Sequence, residues 1–199
     1  IEAAIEYLTS LGMQSLLIDL RDCPGGVMQA AGYTAGVLGE DGPVYFNVGR
    51  DGYESFFVNQ TNEEPLKIPI AVLVNEQTAS AAEMLTAVLQ DTQRAMIVGT
   101  PTYGKGVYQS VLKLPSGAAL YMTTGKYVTR GYQDIEELGG ITPDVLIKDA
   151  QQQYDTALSW LKTQQALPES FTFTINSVQA KAGSESFSLA HRPYLKAGA

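Results

Sequence analysis

Ser80 stands in Thr78-Ala79-Ser80-Ala81-Ala82-Glu83, between the apolar run 70–74 and a stripe formed by Met84, Leu85, Val88 and Leu89. Ser-x-x-Glu ahead of such a stripe is the capping-box pattern, with serine at the N-cap and glutamate at N3. The same local geometry suits a nucleophile. A serine at a strand-to-helix turn lies at the positive end of a helix dipole. The next N–H, that of Ala81, is placed to receive an oxyanion. Such a serine needs a base. The single histidine, His191, lies in His191-Arg192-Pro193 close to the C-terminus, and nothing recommends it for that role. Lysine is the remaining choice. Lys105 has a glycine on each side, so the backbone can pack closely around it.

To take a proton from serine, Lys105 must be neutral. An ordinary lysine pKa of ~10.4 has to fall toward ~7–8, which is about 3–4 kcal/mol of differential solvation. Burial against Tyr103, Val107 and a bound substrate is the expected source, with no carboxylate adjacent. Other chemistries fit less well. Gly99 through Lys105-Gly106 nearly spells a phosphate-binding loop, but Gly106 removes the hydroxyl that would hold Mg²⁺. A strand-like run follows where the phosphate cradle needs a helix. The single cysteine, Cys23, excludes an internal disulfide and, with one histidine, nearly excludes a Cys/His zinc site. No cofactor or metal is expected. Thirteen basic against twenty-one acidic residues give a net charge of −8 over 199 residues. That balance disfavours nucleic acid and anionic membrane as partners.

The elements that must position these residues follow from periodicity. Ile1, Ile5, Leu8 and Leu11 have helical spacing. Residues 16–20 and 70–74 read as buried strands, 95–98 as a short one, and 145–147 as another. Residues 27–38, 80–90 and 150–163 read as helices, the last with Tyr154, Ala157, Leu158 and Leu161 on one stripe. Residues 107–114 and 118–123 flank Pro115-Ser116-Gly117 as a hairpin. Residues 39–67 are turn-rich, with one strand at 44–48. The last 35 or so residues read as a tail with a strand at 171–175. Strands alternating with helices predict an α/β domain. No apolar run approaches the ~20 residues that span a bilayer. The chain opens in mid-helix without methionine, as expected of a piece of something longer.

Four segments then match one family in order. They are Leu17-Ile18-Asp19-Leu20-Arg21 with Pro24-Gly25-Gly26; Thr78 to Glu83, running on to Leu89-Gln90-Asp91; Gly99 through Gly104-Lys105-Gly106 to Gln109; and Gly140-Ile141-Thr142-Pro143-Asp144-Val145. The sequence resembles the C-terminal processing peptidases, or tail-specific proteases, over residues 1–150. The resemblance implies a Clp/crotonase-like α/β fold of stacked strand-strand-helix units with a bent, mixed sheet. It implies a serine endopeptidase with a Ser-Lys centre: Ser80 as nucleophile, Lys105 as base, and Gln109 orienting the lysine amine. Ala81 and the Gly25-Gly26 turn would form the oxyanion hole. Glu83 and Asp91 match family positions of supporting role, although Glu83 also reads as a capping partner and Asp91 as a partner of Arg94.

Two departures stand out. Cys23 replaces the family's asparagine before Pro-Gly-Gly, so a loop-fixing amide is lost. Arg130 replaces a common proline in a distal turn. In a straight strand, Lys105 and Gln109 would lie ~13 Å apart, so the chain must bend near Gly106 for them to meet. Residues 1–164 are expected to form the catalytic core and 165–199 an extension. The family's PDZ domain and further core are expected upstream. The implied partners are proteins with unstructured C-terminal tails, without obligate membrane contact and with a homo-oligomer open. The implied location is extracytoplasmic. The alternatives are a non-catalytic binding module on the same scaffold, or an inactive fragment of the protease.

Overall fold

The structure, a computed structural model, describes residues 1–50, 52, 54–59, 66–165, 180–182 and 185–187. The chain divides into two units, Ile1–Ala166 and Leu167–Ala199. The first runs α1 (Glu2–Ser10), β1 (Leu16–Asp19), α2 (Met28–Val37), β2 (Gly42–Gly49), β3 (Glu54–Asn59), β4 (Ile70–Val74), α3 (Ala81–Asp91), β5 (Met96–Gly99), β6 (Val107–Lys113), β7 (Ala119–Thr129), α4 (Ile135–Leu138), β8 (Val145–Leu146) and α5 (Ala150–Gln165). In the second, β9 (Ala180–Ala182) and β10 (Glu185–Phe187) pair antiparallel. The strand expected at 171–175, and His191, lie outside the described residues.

Parallel and antiparallel pairing are divided between two sheets. The first is wholly parallel, in the order β1-β4-β5-β8. β4 is its centre, with all five residues buried, as a parallel strand covered on both faces requires. Successive side chains alternate between two cores. Ile70, Val72 and Val74 join Met84, Val88 and Leu89 of α3. Ala71 and Leu73 join Ala157 and Leu161 of α5. The stripe on α5 is rotated from the expected one: Gln153, Ala157 and Leu161 are buried, while Tyr154 is exposed.

The second sheet is antiparallel, in the order β3-β2-β7-β6. Its strands β2 and β7 lie against α3, and β3 lies against α2. The segment read as one strand at 44–48 therefore holds two, because β3 closes a hairpin on β2. α4 was not expected either, since its four residues are too short to show a period. No helix among the described residues is long and apolar enough to cross a membrane.

Candidate active site

The loops that follow β1, β4 and β5 leave the same end of the parallel sheet, the carboxyl end of its strands, where open α/β sheets bind ligands. Side-chain and backbone bonds stitch them together. Thr78, fully buried, donates its hydroxyl to the Leu20 carbonyl at 2.8 Å and accepts the Asn75 N–H at 3.0 Å. Ala79 N–H donates to the Cys23 carbonyl at 2.9 Å, and Tyr103 N–H to the Thr78 carbonyl at 2.9 Å. Asn75 Oδ1 accepts the Asp22 N–H at 3.0 Å, and its Nδ2 donates to the Asp22 carboxylate at 2.9 Å. These bonds tie Asp22 and Cys23, just before Pro24-Gly25-Gly26, to the loop after β4.

Ser80 is the N-cap of α3 and half-buried. Its backbone, at φ 57° and ψ −120°, lies where side-chain-bearing residues seldom go. Strain of this kind, about 1–3 kcal/mol, persists only where the surroundings enforce it, as at the sharp strand-to-helix turns that expose nucleophiles. Gly25, at φ +84°, is part of that enforcement. A Cβ there would lie 2.4 Å from the Ala79 carbonyl oxygen, 2.8 Å from the Ala81 nitrogen and 3.0 Å from Ser80 Cβ. Only glycine lets the turn pass this close. Of the residues expected to form an oxyanion hole, Gly25 and Ala81 thus lie beside Ser80.

Glu83 has no exposed surface and accepts four hydrogen bonds. Oε2 takes the Ser80 N–H at 2.7 Å and the Lys105 N–H at 2.8 Å. Oε1 takes the Thr102 hydroxyl and the Gly104 N–H, both at 2.6 Å. The first of these bonds is the capping contact its sequence position implies. The other three join α3 to the loop that carries Lys105. The Ser80 and Lys105 amides share one carboxylate oxygen, so their nitrogens are no further apart than the two bonds combined. A carboxylate thus lies against the Lys105 backbone, where none was expected.

The side chain of Lys105 is exposed, and among the described residues it makes no hydrogen bond or ion pair, with Ser80 or with Gln109. Tyr103, expected to cover it, is 65% exposed. Gly106, the next residue, is buried against α4 and β7. Beyond it, the β6–β7 register slips between Tyr108 and Gln109, and Gln109 Nε2 donates to Thr123 Oγ1 at 3.4 Å. Lys126 pairs with Asp134 at 2.5 Å. That salt bridge holds the Lys126 amine above the usual lysine range and the Asp134 carboxyl below the usual carboxylate range, against the opposing effect of partial burial. Asp91 lies at the other end of α3, about 16 Å along the axis from Ser80. It accepts the Gly131 N–H at 3.3 Å. It does not pair with Arg94, whose guanidinium donates instead to the carbonyls of Leu38, Leu66 and Ile68. Asn75 and Thr102 carry no sequence signal of their importance beyond the fit of Asn75 to a turn, where its Oδ1 also accepts the Gln77 N–H.

No group of three or more His, Cys, Asp or Glu among the described residues is arranged to hold a metal ion. A strained serine at a helix start, with Gly25 packed against it and the Lys105 loop tied to the same carboxylate, thus lies at the carboxyl end of a parallel sheet on an α/β scaffold. Residues 1–147 match Peptidase family S41, and the chain belongs to that family. It is 35% identical over 178 residues to a carboxyl-terminal-processing protease of Picosynechococcus sp., covering 83% of this chain and 42% of that protein. It is 40% identical over 146 residues to the carboxyl-terminal-processing protease of Synechocystis sp., covering 73% and 34%. Among solved structures, the photosystem II D1 C-terminal processing protease superposes with a TM-score of 0.67 at 32% identity, covering 74% of this chain and 38% of that one. The tricorn protease shares the fold, with a TM-score of 0.52 at 20% identity over 77% of this chain and 15% of that one. The chain spans between a third and a little over two fifths of these curated relatives' length.

Proposed function

We infer that the chain carries the catalytic centre of a serine endopeptidase that cleaves proteins near their C-termini through an acyl-enzyme. The observation that carries this is the sharing of Glu83 Oε2 between the Ser80 and Lys105 amides. It fixes the two loops to each other, with Ser80 half-buried and Lys105 exposed. Neutral Lys105 Nζ takes the Ser80 Oγ proton as Oγ attacks the scissile carbonyl carbon. The oxyanion is received by Ala81 N–H and an N–H of the Gly25-Gly26 turn. Lys105 returns the proton to the leaving amine, and water, activated by the same amine, hydrolyses the ester. Catalytic hydrogen bonds are often unformed without substrate. A bound chain that covers Lys105 supplies the burial its neutral form requires, and Gln109 orients the amine once Lys105 is folded in. The relatives' names support protein substrates with free C-terminal tails. We place the protein outside the cytoplasm, as a homo-oligomer or monomer, with residues 1–164 as the catalytic core.

The test is cleavage of an unstructured tail peptide by the full-length protein. Ser80→Ala and Lys105→Ala should each abolish it, and the double variant should be little worse, because nucleophile and base act as one unit. Lys105→Arg should fail equally, since guanidinium stays protonated. His191→Ala should stay within about twofold of wild type, because loss of a general base costs about 10²–10⁴-fold. Full activity of Lys105→Arg, or its loss in His191→Ala, overturns the assignment. The exposed Lys105 amine favours a second reading, a peptide-binding module without catalysis. Under it, wild type and Ser80→Ala would bind the tail peptide equally and neither would cleave it.

A further inference from the structure

We propose that Thr102 is a positioning residue for this centre: its hydroxyl aims the Glu83 carboxylate so that one oxygen spans Ser80 and Lys105. The proposal rests on the proteolytic role inferred above. Thr102 is buried, at 4% exposure, on the loop between β5 and the lysine. A threonine hydroxyl has one proton to donate and lone pairs to accept. The Ile141 N–H lies 2.7 Å from Thr102 Oγ1 and can only donate. The single hydroxyl proton is therefore directed at Glu83 Oε1, 2.6 Å away, as a short charge-assisted bond.

That bond matters because the terminal torsion of a glutamate is soft. With Thr102 and Gly104 both on Oε1, the plane of the carboxylate is set, and Oε2 is left facing the Ser80 and Lys105 amides. Thr102 is itself locked from the far side. Its N–H donates to the Ile141 carbonyl at 3.1 Å, which makes the link to Ile141 reciprocal. Gly140, at φ +102°, is pressed against it: a Cβ there would lie 2.2 Å from the Thr102 carbonyl oxygen. The Gly140-Ile141 turn thus acts on the nucleophile through one hydroxyl and one carboxylate, without reaching the reacting atoms.

The test uses the full-length protein with Thr102→Val, Thr102→Ser and, as control, Thr86→Val. Thr86 is equally buried, but its hydroxyl bonds back to the Ala82 carbonyl within α3. On a tail peptide, Thr102→Val should lower kcat about 10- to 100-fold with KM within about threefold, since the lost function is alignment of the reacting groups. Thr102→Ser should restore kcat to within about twofold of wild type, and Thr86→Val should leave kcat unchanged. Backbone amide exchange gives a readout independent of cleavage. Thr102→Val should speed exchange at Ser80, Gly104 and Lys105, and Thr86→Val should not. Unchanged kcat and exchange in Thr102→Val, a loss confined to KM, a failure of serine to rescue, or an equal loss in Thr86→Val would each overturn the proposal. If wild type does not cleave, the proteolytic role fails and amide exchange alone decides the role of Thr102. If Thr102→Val does not fold, Thr102→Cys takes its place. It keeps the volume with a weaker donor and should lose about 3- to 10-fold in kcat; no loss overturns the proposal.

Discussion

The two ends of α3 each carry a carboxylate, and the two are used in opposite ways. Glu83, in the first turn, is fully buried and satisfied by four donors, three of them backbone N–H groups. Asp91, at the last residue, lies at the surface and accepts one backbone N–H at 3.3 Å. Around it gather Arg130, which pairs with buried Glu40 at 3.6 Å, and Arg94, which is spent on carbonyls. Burial pushes the Asp91 and Glu40 carboxyls above the usual carboxylate range and the Arg94 guanidinium below its own. The helix dipole adds to the contrast, favouring an anion at its start and opposing one at its end. One end gathers three backbone N–H groups and a hydroxyl onto one carboxylate. The other ties α2, the segment before β4 and the β7–α4 turn together with surface charge and a half-buried guanidinium.

Breaking the first end should have the larger effect. Glu83→Gln keeps the shape but turns an NH₂ group toward at least one N–H donor. Each buried bond left unmade costs about 1–3 kcal/mol. The melting temperature should fall by at least about 2–4 °C, and kcat by more than about 100-fold even in the folded fraction. Thermal unfolding and cleavage of a tail peptide check both. Gly25→Ala comes next. Its new methyl cannot coexist with the Ala79 carbonyl, so the turn must withdraw from Ser80. We expect about a 10²–10³-fold loss of kcat, the scale of losing one oxyanion donor, with a smaller change in melting temperature than Glu83→Gln shows. At the other end, Arg94→Met strands three carbonyls and should lower the melting temperature by about 5–10 °C. Activity per folded molecule, measured below the transition, should stay within about twofold, which would separate scaffold from site.

Sequence reading was strongest where local pattern coincided with burial. The apolar run at 70–74 is β4, with the bounds expected, because a strand covered on both faces needs no alternation to be seen. Ser80 at a helix start was legible from Ser-x-x-Glu and the stripe behind it. Glu83 shows the limit. Its capping contact spans three residues and was readable, whereas its bonds to Thr102, Gly104 and Lys105 span 19 to 22 and depend on where β5 returns the chain. Gln109 shows a second limit. Strand alternation predicts which face a residue takes, but the register slip between Tyr108 and Gln109 resets that alternation, and no residue type announces it. β3 was missed for a third reason: it is an edge strand, and its Phe56 is exposed although apolar.

The smallest effect should come from Asp91→Asn, and its sign is the sharpest check on the contrast. The folded carboxyl is held above its unfolded value of about 3.8, chiefly by burial, against the Gly131 N–H and the field of Arg130. The folded protein therefore binds the proton more tightly than the unfolded chain does. Stability must fall as pH rises from about 3.8 through the folded pKa, and the full cost is present at neutral pH. Asparagine keeps an acceptor for Gly131 and removes the charge from the wrong end of the helix dipole. Because Asp91 sits at the surface and is only part-buried, screening should keep the gain below about 1 kcal/mol. The variant should melt up to about 3 °C higher at pH 7, and the advantage should vanish below pH 4. Cleavage should not change. A lower melting temperature at pH 7 would mean that the Asp91 charge stabilises its end of α3 through Arg130, and the two ends would then differ in degree rather than in kind.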